Sequence, residues 1–157
     1  DRFLLHVKVD YPAAGSERKI LDLSREEQNL NFKSFEKPLT QLELDKARKS
    51  VRAVHMSEQV EEYLVQIVLA TRNSDKYGGD LNNWLEYGAS PRATIALDVC
   101  SKALAWLNNK DFVSPDDIRS VAHDILRHRI ILSFEAEANG ISSDQVIDEL
   151  LRVVPSA

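Results

Sequence analysis

Four serines, each followed by helix-favouring chemistry and then by apolar residues at helical spacing, constrain this chain more than any other feature. Ser57 precedes Val60, Tyr63, Leu64, Ile67 and Val68, which recur at i, i+3, i+4, i+7 and i+8 and so share one face of an α-helix. Ser90 is followed by Pro91, whose ring pre-sets the first helical position, and then by Ile95, Ala96, Val99, Ala103, Trp106 and Leu107 as packing candidates. That helix should end near 108–110. Ser114-Pro115-Asp116-Asp117 adds two acids that complement the positive end of a helix dipole, ahead of Ile118, Val121, Ala122, Ile125 and Leu126. Ile141-Ser142 with Gln145 and Val146 supplies a capping box and a hydrophobic staple for a last helix that buries Val146, Ile147, Leu150 and Leu151. Such punctuation predicts a mainly α fold, a compact helical bundle.

The N-terminal third is less regular. Phe3, Leu5, Val7 and Val9 alternate with Leu4, His6 and Lys8, as a strand with one buried face requires, and Pro12 and Gly15 end the run. Ser16 is placed to cap a helix carrying Ile20, Leu21 and Leu23 that fades near Leu30. Residues 31–40, polar and aromatic with Pro38, read as a linker to a helix over 42–54. Residues 73–89, with Gly78, Gly79 and Gly88, form a long connection in which Leu81, Trp84, Leu85 and Tyr87 are available to pin it down. Ile130-Ile131 suits a short extended segment.

At 157 residues the chain has the size of one domain, and 43% apolar with 29% charged residues excludes disordered and low-complexity classes. The charge, 20 − 25 = −5, argues against a surface built for nucleic acid. The longest apolar stretch, Tyr63 to Ala70, is broken by Gln66 and falls well short of the ~18 residues a membrane span needs. One cysteine, Cys100, forms no intramolecular disulfide, and no leader pattern precedes the first apolar run, so a cytoplasmic protein is expected. The chain opens Asp-Arg-Phe without an initiator Met, which suggests a piece of something longer.

No metal site is expected: His6, His55, His123, His128 and Cys100 form no ligand pair, and the five-residue step from His123 to His128 is not the i, i+3 or i, i+4 spacing of a helical pair. Cys100, mid-helix between Val99 and Ala103, reads as a small buried hydrophobe. Gly88-Ala89-Ser90-Pro91-Arg92 is more informative, because it places an arginine in the first turn of a helix, where a cation is locally unfavourable. Arg92 there makes sense beside a docked anion such as phosphate; the other reading is a solvated side chain or one paired with a carboxylate such as Glu86. Arg2, just before the first apolar run, is either a site residue on a connecting loop or a surface charge next to Asp1.

Three separated motifs, Asp1-Arg2-Phe3-Leu4-Leu5 with Val9-Asp10-Tyr11-Pro12, then Gly88-Ala89-Ser90-Pro91-Arg92-Ala93, then Leu126-Arg127-His128-Arg129-Ile130, resemble in order and spacing the C-terminal part of MoxR-family AAA+ ATPases. The resemblance covers essentially the whole chain, with Ala136-Glu137-Ala138-Asn139-Gly140-Ile141 similar to the family's ending. It implies a helical lid domain preceded by one strand left from an α/β ATPase core: residues 1–12 as that strand, 13–40 as connecting helix and linker, 41–157 as the lid. It implies that Arg2 is the arginine finger reaching a neighbouring subunit's ATP, and that Arg92, with Ser90 and Pro91, binds nucleotide as the sensor-2 arginine. ATP and Mg²⁺ would be the full-length protein's cofactors. Its partners would be neighbouring subunits of a ring-shaped homo-oligomer, a hexamer being the expected form, and a protein with a von Willebrand factor A domain. The implied activity is ATP hydrolysis coupled to chaperone-like remodelling or maturation of protein complexes. These residues contain no Gly-x-x-x-x-Gly-Lys-Ser/Thr loop and no acidic Mg²⁺ motif, so alone they should not hydrolyse ATP. The competing reading is a non-catalytic helical interaction module.

Overall fold

The computed structural model describes residues 3–27 and 39–156. Eight helices and two short strands occur among them: α1 (Ala14–Glu27), α2 (Gln41–Ala53), α3 (Glu58–Ala70), α4 (Leu81–Trp84), β1 (Leu85–Tyr87), α5 (Pro91–Leu107), α6 (Pro115–Leu126), β2 (Ile131–Leu132), α7 (Phe134–Ala138) and α8 (Ser143–Val153). The class is mainly α. Helices α3, α5, α6 and α8 pack around Ile67, Leu97, Ile118, Ile125, Ile147 and Leu150, with the most extensive contact between α5 and α6.

The start signals act as local chemistry dictates. Ser57 Oγ accepts the Val60 N–H at 3.4 Å, and α3 buries Tyr63, Leu64, Ile67 and Val68. Ser142 Oγ accepts the Gln145 N–H at 3.3 Å while Gln145 Oε1 takes the Ser142 N–H at 2.8 Å, and Val146, Ile147, Leu150 and Leu151 are all buried. At α6 the Asp117 carboxylate takes the Ser114 N–H at 2.9 Å and its hydroxyl at 2.7 Å, and also binds Lys110 Nζ at 2.8 Å across the α5–α6 turn. Burial alone would raise the Asp117 carboxyl, but Lys110 and Ser114 outweigh it and hold it below the usual range. Asn109, at φ 57°, makes the left-handed step that ends α5, a conformation asparagine tolerates.

Several expectations are corrected. Residues 3–9 form no strand: among the described residues no second strand runs beside them, and Phe3 and Val9 are largely exposed. Alternation predicts a face to bury, but a strand exists only with a ladder partner. The two-stranded antiparallel sheet is instead β1–β2, pairing Leu85 with Leu132 and Tyr87 with Ile131 across a bulge. Residues 73–89 are therefore less loop-like than the glycines suggest, holding a 3-10 turn (Ser74–Lys76), α4 and β1; Leu81 is buried there and Trp84 and Leu85 pack against the core, whereas the Tyr87 side chain is exposed. Helix α1 begins two residues before Ser16, whose N–H donates to Ala13 O at 2.7 Å, and its Ile20, Leu21 and Leu23 are exposed. The expected end of that helix near Leu30 and most of the linker over 31–40 lie outside the described residues.

Helix α5 turns only part of the expected face inward, with Ala96 buried and Ala103 half-buried. Its buried stripe is Ala93, Ala96, Leu97, Cys100, Ser101 and Ala105, while Ile95, Val99, Trp106 and Leu107 are exposed. Small side chains at this spacing let α3 and α6 approach closely, which a search for large apolar residues overlooks. Val99, Trp106 and Leu107 line a surface groove with Leu44, Ala47 and Val51 of α2. Helix α2 starts at Thr40, whose N–H donates to Glu43 Oε2 at 2.8 Å, and it buries no residue fully.

Candidate functional site

The start of α5 is bolted to the end of α3. Ala89 is completely buried; its N–H donates to Thr71 Oγ1 at 2.9 Å and its carbonyl accepts from Arg72 Nε at 2.6 Å. Thr71 Oγ1 donates in turn to Val68 O at 2.7 Å, so the hydroxyl is used in both directions inside the core. Gly88 lies so close to this corner that a Cβ on it would stand 2.2 Å from the Thr71 carbonyl oxygen and 2.9 Å from Arg72 Cγ. Only a residue without a side chain fits.

Gly88→Ala is accordingly expected to cost about 1–3 kcal/mol or somewhat more through overpacking against backbone. For a chain of this size that is a fall of about 2–4 °C in Tm per kcal/mol. Thermal unfolding measures it, and an unchanged Tm would show that the corner yields.

With the corner held, Arg92 occupies the second position of α5, after Ser90 at the N-cap and Pro91 at the first helical position. Ser90 caps by position only: its hydroxyl accepts no capping bond, because the Ala93 N–H that would supply one donates to the Ser90 carbonyl at 2.8 Å. Ser90, Pro91 and Arg92 are all exposed, and the first turn of α5 contains no acidic residue. Arg129, at the far end of α6, lies within electrostatic reach. Burial is the main influence lowering the Arg129 guanidinium; Cys100 opposes it and the charge of Arg92 adds to it. Arg92 and the N-terminus of α5 thus concentrate positive potential on one exposed spot, which suits an anion with several oxygens.

Arg2 lies outside the described residues. The chain immediately after it does not: Arg129 Nη2 donates to Phe3 O at 2.5 Å and Nη1 to Leu4 O at 3.1 Å, while Arg127 Nη1 donates to His6 O at 2.7 Å. The third sequence motif, Arg127-His128-Arg129, therefore grips the first. His128 stacks edge-on against His6, ring centroids 5.8 Å apart at 87°, and burial lowers its basicity.

Among the described residues no group of three His, Cys, Asp or Glu side chains is arranged to hold a metal ion. His123 pairs with Asp148 at 3.0 Å instead. Cys100 is buried and its thiol pushed up mainly by that burial, which leaves it a poor nucleophile. No helix of the described residues is long and apolar enough to cross a membrane. Thr71 and Arg72, which position the Ala89 backbone, had no signal in the sequence, because nothing local marks a partner so distant along the chain. Gly88 was visible as a loop glycine and as the first residue of the motif that leads to Arg92, but its close approach to Thr71 was not.

Residues 82–150 match the AAA lid domain. Over 98% of its length the chain is 31% identical to the chaperone MoxR1 of Mycobacterium tuberculosis, of which it spans 40%. It is 30% identical to the uncharacterized protein YeaC of Bacillus subtilis over 98% of its length and 45% of that protein's. A crystal structure of a candidate ATPase from Cytophaga hutchinsonii has a TM-score of 0.89 and 40% sequence identity, over 99% of this chain and 47% of that one. The chain spans less than half the length of the curated relatives it matches.

Proposed function

From a chain that contains a MoxR-family AAA+ lid, we propose that these residues are the lid-and-sensor part of an ATP-hydrolysing protein that remodels or matures other protein complexes. In this reading Arg92 is the sensor-2 arginine that meets the γ-phosphate, with Ser90 and Pro91 beside it, and Arg2 is the finger offered to the nucleotide of a neighbouring subunit. The observation that carries the reading is the acid-free first turn of α5, its start fixed against Thr71 and Arg72, with Arg92 exposed on it.

These residues fit the terminal phosphate of ATP and little else of the nucleotide. Bound ATP supplies the phosphoryl group and the negative charge that the site must accommodate. Arg92 donates a planar fork of N–H groups to phosphate oxygens, and the N-terminus of α5 adds its dipole. Positive charge fixed in advance stabilises the charge that develops during phosphoryl transfer without reorganising water. Among the described residues no group of three His, Cys, Asp or Glu side chains is arranged to hold Mg²⁺.

The division into a terminal core segment over 1–12, a connection over 13–40 and a lid over 41–157 belongs to the same proposal. So do a ring-shaped oligomer, hexameric by family resemblance, a cytoplasmic location, and a partner with a von Willebrand factor A domain. The direct test is ATP turnover by the full-length protein with Mg²⁺, alongside this 157-residue chain alone. Turnover by the first and none by the second is expected. A folded full-length protein that neither binds nor hydrolyses ATP would overturn the proposal and favour a non-catalytic interaction module.

A further inference from the structure

The last four carbonyls of a helix have no partner within it and must find one outside. At the end of α6 the turn over 127–129 supplies three of these partners and residues 3–6 supply the fourth. The His123 carbonyl takes the Arg127 N–H at 3.0 Å and that of Leu126 takes the Arg129 N–H at 2.8 Å, both from the turn's own backbone. The Asp124 carbonyl takes the His6 N–H at 2.7 Å. The Ile125 carbonyl is bonded by Arg129 Nη1, the group that also reaches Leu4 O.

The two arginines are themselves aimed. Arg127 Nε donates to Asp144 Oδ1 at 2.7 Å, at the start of α8, and its Nη1 to Asp124 Oδ1 at 3.0 Å, which leaves the same nitrogen directed at His6 O. The Arg127 side chain is only 16% exposed, so its bonds to Asp144 and Asp124 are partly sheltered from water, while its bond to His6 O lies at the surface. Arg129 Nη2 holds Phe3 O, one residue from Arg2. Residues 3–6 have little apolar burial to hold them otherwise. Their placement rests on guanidinium-to-carbonyl bonds together with the His6 backbone bond to Asp124 O and the His6–His128 ring contact.

We infer that Arg127 and Arg129 form a clasp that fixes residues 3–6 to the end of α6, and that they are positioning residues for the finger role proposed for Arg2, acting through the chain that directly follows it. This rests on the proposed role of Arg2.

The test uses the full-length protein with Arg127→Ala/Arg129→Ala and, separately, Arg129→Lys, which retains a cation able to keep one carbonyl. Amide hydrogen exchange at residues 3–6 should quicken about tenfold or more in the double variant, as expected for the loss of one or two net hydrogen bonds. ATP affinity should stay within a few-fold, and turnover should fall on the order of 10²-fold, the penalty of misplacing a reacting group by about 1 Å. Arg129→Lys should lie between the double variant and wild type. Mixed rings decide whether the effect is positioning in trans. Subunits with the double change, mixed with subunits that have intact clasps but cannot bind ATP, should regain turnover at interfaces where an intact clasp presents Arg2.

Unchanged exchange at residues 3–6 would overturn the clasp. Faster exchange with wild-type turnover, or no recovery in mixed rings of confirmed assembly, would overturn its positioning role. If Arg2→Ala alone leaves turnover unchanged, the finger assignment has failed and the positioning role with it, while the exchange measurement still judges the clasp.

Discussion

Arg92→Ala in the full-length protein is expected to lower ATP turnover by ~10²–10³-fold, the size of loss that follows removal of one preorganised donor to developing charge. The side chain stands on a helix start that the protein fixes from behind: Gly88 admits no Cβ against Thr71, and the Ala89 backbone is bonded through both its N–H and its carbonyl. Such rigidity is wasted on a solvated arginine but needed for one that meets phosphate at a set distance. Arg92→Lys keeps the charge and loses the fork that grips two oxygens at once, so it should be clearly impaired though less than Arg92→Ala. Arg92 is exposed and its first turn holds no acid, so neither change should alter the stability of the nucleotide-free protein by more than about 0.5 kcal/mol. Steady-state ATPase assays with paired melting curves measure both. A wild-type rate for Arg92→Ala, or a large fall in apo Tm, would make Arg92 structural.

Arg2→Ala should reduce turnover further, by ~10³-fold or more, as loss of an arginine finger does, while leaving ATP binding nearly intact. A finger acts on the neighbour's nucleotide, so its loss removes charge stabilisation in the transition state without emptying any site. Mixing Arg2→Ala subunits with subunits that retain Arg2 but cannot bind ATP should therefore restore part of the activity. Absence of any rescue in assembled mixed rings would place the role of Arg2 inside its own subunit.

Much of the bundle was legible before any coordinates. Ser57, Ser114 and Ser142 were recognisable as helix starts because a capping side chain answers to an N–H only two or three residues away, and the stripes of α3, α6 and α8 were recognisable because a 3.6-residue period is a local property. The same logic located Arg92 in the first turn of α5, since Ser90 and Pro91 are its immediate neighbours. Local reasoning placed Ala96 rightly on α5's inward face but also put Ile95, Val99, Trp106 and Leu107 there, which are exposed, and it expected a strand over 3–9 where, among the described residues, no partner strand runs alongside.

By itself, then, the sequence determined the helix starts, most of the apolar stripes, the position of Arg92 on its helix and the family resemblance, all of which rest on residues within a few positions of one another or on recognisable motifs. Only the tertiary structure decided that Gly88 presses on Thr71, that small side chains bring α5 against its neighbours, and that Arg129 holds the carbonyl of Phe3, a bond between residues 126 positions apart. The reason is physical: which face of a helix is covered, and which carbonyl a guanidinium meets, depend on what the folded chain brings alongside, and no local spacing encodes that.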